Sequence, residues 1–222
     1  MFSVTKYQGK KDNNTQDFYS VTWEHFINRM SNHDIRNQKD GPAFSAVQYA
    51  TEVTKDFKFK EWIYYPKSNR QKGMVFINNK GETRITDLEY RITRANVNVV
   101  SVSMVVMDFD QGSIADIHEK LKEVNHLIYT TFSHSLRVAK FRLIIPLKTP
   151  VPVSQYREVW EQVNILTGGI ADQSCKDPAR LHFLPSCPPE TAGDRYAQGF
   201  SDKKYFQPKI AEITKTKKNR SL

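Results

Sequence analysis

The chain has 222 residues, 33 of them Lys or Arg against 24 Asp or Glu, for a net charge of +9. That length suits one large domain or two small ones with a core that needs neither disulfide nor metal, and two cysteines exclude a disulfide scaffold. No apolar run reaches the ~18 residues of a spanning helix and residues 1–11 have no apolar signal core, so the sequence reads as cytoplasmic, while its basic balance points to a polyanion, nucleic acid first and an anionic membrane surface second.

The first clear element is a helix over Thr22–Met30, with Thr22 as cap and Trp23, Phe26, Ile27 and Met30 on one face. Asn32–Gly41 reads as loop. Phe57, Phe59 and Trp62–Tyr65 suggest a strand, and Met74–Ile77, Asn78–Gly81 and Thr83–Ile85 a hairpin. From Val97 the pattern sharpens. Val99–Met107 is a β-branched run expected to be buried on both faces, ending in Asp108-Phe109-Asp110. Ser113, with Asp116 three residues on, caps a helix whose stripe is Ile114, Ile117, Leu121 and Val124. Strands follow at Leu127–Phe132 and Phe141–Leu147, joined by the polar turn Ser133–Lys140. A helix over about Ser154–Leu166 turns Tyr156, Val159, Trp160 and Val163 inward and stops at Gly168, and the last strand is Arg180–Leu184. The order strand, helix, strand, strand, helix, strand is the split βαβ arrangement of ferredoxin-like and RNA-recognition folds, an α+β class that hosts many functions.

Asp108 and Asp110 are two apart on a strand, so their carboxylates share a face while Phe109 points into the core. Paired carboxylates repel unless a cation neutralises them, and such hard oxygen donors suit Mg²⁺ or Mn²⁺; a solvated strand end is the plain alternative. Asp172 lies just before the last strand, which in a split βαβ sheet joins the same sheet as the first, so a third carboxylate can reach the pair. Three acids on one sheet suggest two-metal phosphoryl or nucleotidyl transfer. Asp177, beside Pro178, competes for that place but better suits a turn. His134, Ser133, Arg137, Lys140 and Arg142 cluster at or beside the hairpin tip, where hydroxyls and cations can grip a triphosphate; an exposed turn is the alternative. Arg180 opens the last strand as Arg142 does the third. Cys175, Cys187 and His182 fall short of the four ligands of a structural zinc site.

Taken together, Val105–Asp110, Thr130–His134 with Phe141–Leu147, Asp172-Gln173-Ser174, Asp177–Leu181 and Phe183–Ser186 resemble the archaeo-eukaryotic primase (AEP) superfamily, closest to the primase-polymerase domains of plasmids, phages and integrated elements. The resemblance covers about residues 97–187. It implies an α/β module at 1–95 packed on a recognition-motif-like catalytic module at 96–200, with the active site in the cleft between them. It implies that Asp108, Asp110 and Asp172 hold two catalytic Mg²⁺ or Mn²⁺ ions, that His134 contacts the incoming nucleotide, and that Ser133, Lys140, Arg142 and Arg180 help bind it. In the family the second motif, Ser-x-His, leads straight into a strand, whereas here His134 precedes Phe141 by seven residues, so Arg142 stands as its substitute.

In the N-terminal part Lys58, Lys60, Lys67, Arg70 and Lys72 are interleaved with Phe57, Phe59, Trp62, Tyr64 and Tyr65, a mixture suited to single-stranded DNA, although a strand with one charged face would look the same. Residues 201–222 read as a flexible basic tail or a linker to a helicase. The expected function is a DNA-dependent primase-polymerase that joins nucleoside triphosphates to a 3′ hydroxyl on single-stranded DNA during replication of a plasmid, phage or mobile element. The rival is a non-catalytic replication initiator or single-strand binder on the same fold. A nicking nuclease would need a His-x-His pair, and the nearest approach here is Ser133-His134-Ser135.

Overall fold

The computed structural model describes residues 1–15, 17–50, 74–77, 83–86 and 94–210. The N-terminal strands are β1 (Phe2–Tyr7), β2 (Phe18–Val21), β3 (Asp34–Ile35), β4 (Ala43–Ser45) and β5 (Val47–Tyr49), with helix α1 (Trp23–Met30) after β2. A hairpin, β6 (Met74–Ile77) and β7 (Thr83–Thr86), follows the sequence reading. Then come β8 (Val99–Phe109), α2 (Ile114–Lys120), β9 (His126–Thr130), β10 (Phe141–Pro152) and α3 (Val153–Thr167). Among the described residues the last strands are β11 (His182–Phe183), β12 (Ser186–Cys187) and β13 (Ala197–Phe200).

The main sheet has five antiparallel strands in the order β13-β9-β10-β8-β5, and a second sheet has the order β11-β4-β1-β2. The side-chain period of two divides β8 between two cores. Val105, Met107 and Phe109 pack with Leu143, Ile145 and the α3 residues Tyr156, Val159, Trp160 and Val163. Met104 and Val106 face the other way, with Leu127, Tyr129 and Ile144, onto Trp23, Phe26 and Met30 of α1 and Val4 and Phe44 of the second sheet. From Val102 to Met107 both faces are thus covered, and Ser103 is the one polar residue of that stretch. Each large side chain so enclosed contributes about 1.5–3 kcal/mol from apolar burial.

The helix signals hold. Thr22 accepts the His25 N–H and Ser113 the Asp116 N–H, so both caps satisfy a donor left free at a helix start. Gly168, at φ 106°, closes α3 in the left-handed conformation that glycine adopts without strain.

Two expectations need correction. The fourth strand of the split βαβ unit does not join the main sheet: only His182–Phe183 is extended, and it pairs with β4 in the second sheet. Its place beside β8 is taken by β5 from the N-terminal part, whose Val47 and Tyr49 are buried there. The two parts therefore exchange strands across residue 95. Residues 203–210, expected to be a free basic tail, are instead fastened. Lys204 bridges Val124 and Phe206 bridges Leu147 in parallel, and Gln162 of α3 holds Lys209 through both its N–H and its carbonyl. The aromatic Phe206, which packs against the α3 core, supplies the apolar anchor that a charge count passes over. Lys58, Lys60, Trp62, Lys67, Arg70 and Lys72 lie outside the described residues.

Candidate active site

Asp108 and Asp110 leave the end of β8 on the face that looks toward the second sheet, and Phe109 turns into the α3 core, where its ring stacks on Phe141 at 4.9 Å. The ladder then dictates what Asp108 meets. Arg142 of β10 is its direct cross-strand partner, and Tyr129 of β9 is opposite Arg142 in turn. Arg142 Nε donates to Asp108 Oδ1 at 2.5 Å and its terminal nitrogens donate to Asp108 Oδ2 at 3.1 Å, to the Tyr129 hydroxyl at 2.9 Å and to the Phe183 carbonyl at 2.6 Å. Burial by itself would raise the Asp108 pKa, but the Arg142 charge and hydrogen bonds outweigh it and hold the carboxyl well below the usual range. Burial would likewise lower the Arg142 pKa, and Asp108 more than restores it.

Asp172 arrives by a different route from the one expected. The chain after α3 returns to the end of β8, where the Asp172 N–H donates to the Asp108 carbonyl at 2.8 Å. Its carboxylate caps the following 3-10 turn by accepting the Ser174 N–H at 2.9 Å and the Ser174 hydroxyl at 2.5 Å. Single ligand atoms of Asp108, Asp172 and Cys175 lie within 4.8 Å of one another. Cys175 was not anticipated as a neighbour of the acids. Burial, then the nearby Asp108 charge, pushes its thiol up to about 12, so it stays protonated at neutral pH. The anionic donors are consequently carboxylate oxygens, and that donor set fits Mg²⁺ or Mn²⁺.

One open cleft of about 150 Å³ is lined by Asp108, Asp110, Asp172, Ser133, Lys140, Arg142 and Arg180. Lys39, from the loop before β4, also lines it; nothing in its polar surroundings marked it in the sequence. Each acid is paired: Lys140 Nζ meets Asp110 Oδ1 at 2.8 Å and Arg180 meets Asp172 Oδ2 at 3.5 Å, besides the Arg142 pair.

His134 is not among the cleft-lining residues. Its Nδ1 accepts the Lys140 N–H at 3.1 Å and its ring also meets the backbone of Asp194, so it braces the β9–β10 turn, and burial lowers its pKa. Asp177 accepts the Ala179 N–H, the turn role expected of it. His182 is buried behind the acids; burial first, then the Arg142 charge, lowers its pKa to about 3. Cys175, Cys187 and His182 form no shared metal cluster among the described residues.

A family model for the VapE N-terminal domain matches residues 89–213. The chain belongs to the VapE N-terminal domain family. The matched segment encloses residues 97–187, on which the primase resemblance rests, and contains every cleft residue named above except Lys39. No curated protein matches the chain. Among solved structures, the AEP domain of the cyanophage S-2L primase-polymerase is similar at 16% identity, over 58% of this chain and 78% of that one, with a TM-score of 0.37. In this VapE-family chain the described residues include no helix long and apolar enough to cross a membrane.

Proposed function

We propose that this VapE-family domain is a template-dependent nucleotidyltransferase of the primase-polymerase type, acting on single-stranded DNA in the replication of a plasmid, phage or mobile element. The observation that carries the reading is the convergence of Asp108, Asp110 and Asp172 with Lys39, Lys140 and Arg180 in one cleft. Divalent ions held by the three carboxylates would activate the attacking 3′ hydroxyl and stabilise the pyrophosphate that leaves. The chain's own residues supply position and charge. Arg142 fixes the Asp108 carboxylate in one orientation. Lys39, Lys140 and Arg180 grip phosphate oxygens, and the Ser133 hydroxyl donates a further hydrogen bond. No side-chain nucleophile is required. A helicase partner that presents the single strand fits this role.

A second reading has an observation in its favour: all three acids are already in ion pairs, as they would be in a nucleic-acid binder whose carboxylates only organise the fold. Asp110→Asn separates the two, because Asp110 is exposed and its loss spares the buried pair. The unaltered protein, given single-stranded DNA, labelled nucleotides and Mn²⁺ or Mg²⁺, is expected to make template-dependent oligomers that Asp110→Asn and Asp172→Asn do not. Equal synthesis by the variants refutes the role given to these carboxylates, and no synthesis and no primer extension by the unaltered protein under either metal refutes the enzyme.

A further inference from the structure

Four cations, Lys39, Lys140, Arg142 and Arg180, line the cleft against three carboxylates, so the pocket is net positive before any ligand arrives. From this we infer that the cleft binds a nucleoside triphosphate's polyphosphate in its own right, and that the polyphosphate is what opens the carboxylates to divalent ions. The inference rests on the proposed nucleotidyltransferase reading and adds an order of binding to it.

The three ion pairs are not equivalent. Arg142 is buried and spends its donors on Asp108, Tyr129 and Phe183, so it stays where it is. Lys140 and Arg180 keep about a third of their side chains in solvent, at 33% and 34% exposure; Lys140 holds only its acid, and Arg180 holds its acid at 3.5 Å and the Ser174 carbonyl at 3.4 Å, both long contacts. These two can swing. A divalent ion arriving alone meets Asp110 and Asp172 already engaged and the neighbouring cations facing it, with little net attraction. A triphosphate reverses this balance. It draws Lys140, Arg180 and the unshared Lys39 onto its oxygens through charge-assisted bonds, freeing the Asp110 and Asp172 oxygens, while its own negative charge adds to theirs. Asp108 contributes through lone pairs that the Arg142 fork leaves unused, since a carboxylate offers about four acceptor sites. Polyphosphate and cation are then positively coupled, and the coupling is reciprocal by linkage.

The experiment uses the full chain and inorganic tripolyphosphate, a non-hydrolysable ATP analogue and Mn²⁺ as probes, with binding followed by calorimetry and by the Mn²⁺ paramagnetic signal. The polyphosphates are expected to bind in EDTA. Mn²⁺ alone is expected to bind unaltered protein at least about tenfold more weakly than it binds Lys140→Ala/Arg180→Ala, whose Asp110 and Asp172 are released. The same double variant loses polyphosphate binding in EDTA. Lys140→Gln alone, a near-isosteric change at a half-buried position, moves both affinities in the same directions by a smaller factor and guards against a folding artefact. If unaltered protein takes Mn²⁺ alone as tightly as the double variant, or binds the ATP analogue only once Mn²⁺ is present, the order of binding is wrong although the nucleotide site stands. If neither polyphosphate binds with or without Mn²⁺, the nucleotidyltransferase reading itself falls.

Discussion

Replacing Arg142 by methionine tests the account of the site most directly, because the structure fixes what is left behind. Asp108 keeps its position on β8 but loses both partners of its two oxygens, and the Tyr129 hydroxyl and Phe183 carbonyl lose a donor as well. Breaking a buried pair from one side costs about 3–5 kcal/mol, a large share of the 5–15 kcal/mol that holds a typical domain. Asp108→Asn/Arg142→Met removes the stranded charge, so the double variant is expected to recover about 1–3 kcal/mol relative to the sum of the single changes. The pH dependence gives an internal check. In the unaltered protein the folded pKa of Asp108 is depressed, so its contribution is present above the unfolded carboxyl pKa and fades as pH falls. Without Arg142, burial dominates and the folded pKa rises above the unfolded one, so the variant's deficit is greatest at neutral pH and shrinks on acidification. Urea unfolding at pH 7.5 and pH 5 measures all of this. A loss below about 1 kcal/mol for the single variant, or strict additivity of the pair, refutes the reasoning.

Two further outcomes rest on packing and on burial. A Cβ on Gly199 would lie 2.7–2.9 Å from three side-chain carbons of Ile27, so Gly199→Ala is expected to cost about 1–3 kcal/mol by overpacking β13 against α1, and Ile27→Ala in the same chain is expected to recover part of it; thermal melts that rank the double variant below the single one overturn this. His126 is held at about 4, first by burial, despite its bond to the Val124 carbonyl, and then by the adjacent His118. It stays neutral in the fold while the unfolded chain protonates below about pH 6.5, so its stability contribution is full above that pH and falls by up to about 3 kcal/mol toward pH 4. Unfolding curves at pH 7.5 and 5.0 should show a shallower acid loss for His126→Asn, and an unchanged slope would exclude His126 as the cause.

What could be read from the sequence was whatever leaves a local periodic trace. The run at Val99–Met107 announces its two-sided burial, and the parity of Asp108, Phe109 and Asp110 sends the Phe109 ring into the α3 core and both carboxylates toward the cleft. The stripe of Tyr156, Val159, Trp160 and Val163, and the caps Thr22, Ser113 and Gly168, are equally local. What escaped depends on partners far along the chain. β5 and β11 are three and two residues long, too short for alternation to say which sheet they join, and their pairing is settled by the surfaces they cover. Ser133-His134 looks like a ligand-binding turn until Asp194, sixty positions on, is seen to occupy the His134 ring. Lys39 enters the cleft from a loop whose residues look like any solvated turn.

The strand exchange bears on where this protein can be cut. The segment shared with the family, residues 89–213, contains neither β5 nor β4. Excised, it would bare the β8 backbone groups that now pair with Val47, Gln48 and Tyr49, and β11 would have no sheet to join. It would also uncover Met104, Val106, Leu127 and Ile144, which the α1 side chains and Phe44 now shield. An unpaired edge beside an apolar face is a template for self-association. The boundary of family similarity is therefore not a boundary of solubility, and a fragment that begins at residue 89 should aggregate where the whole chain does not.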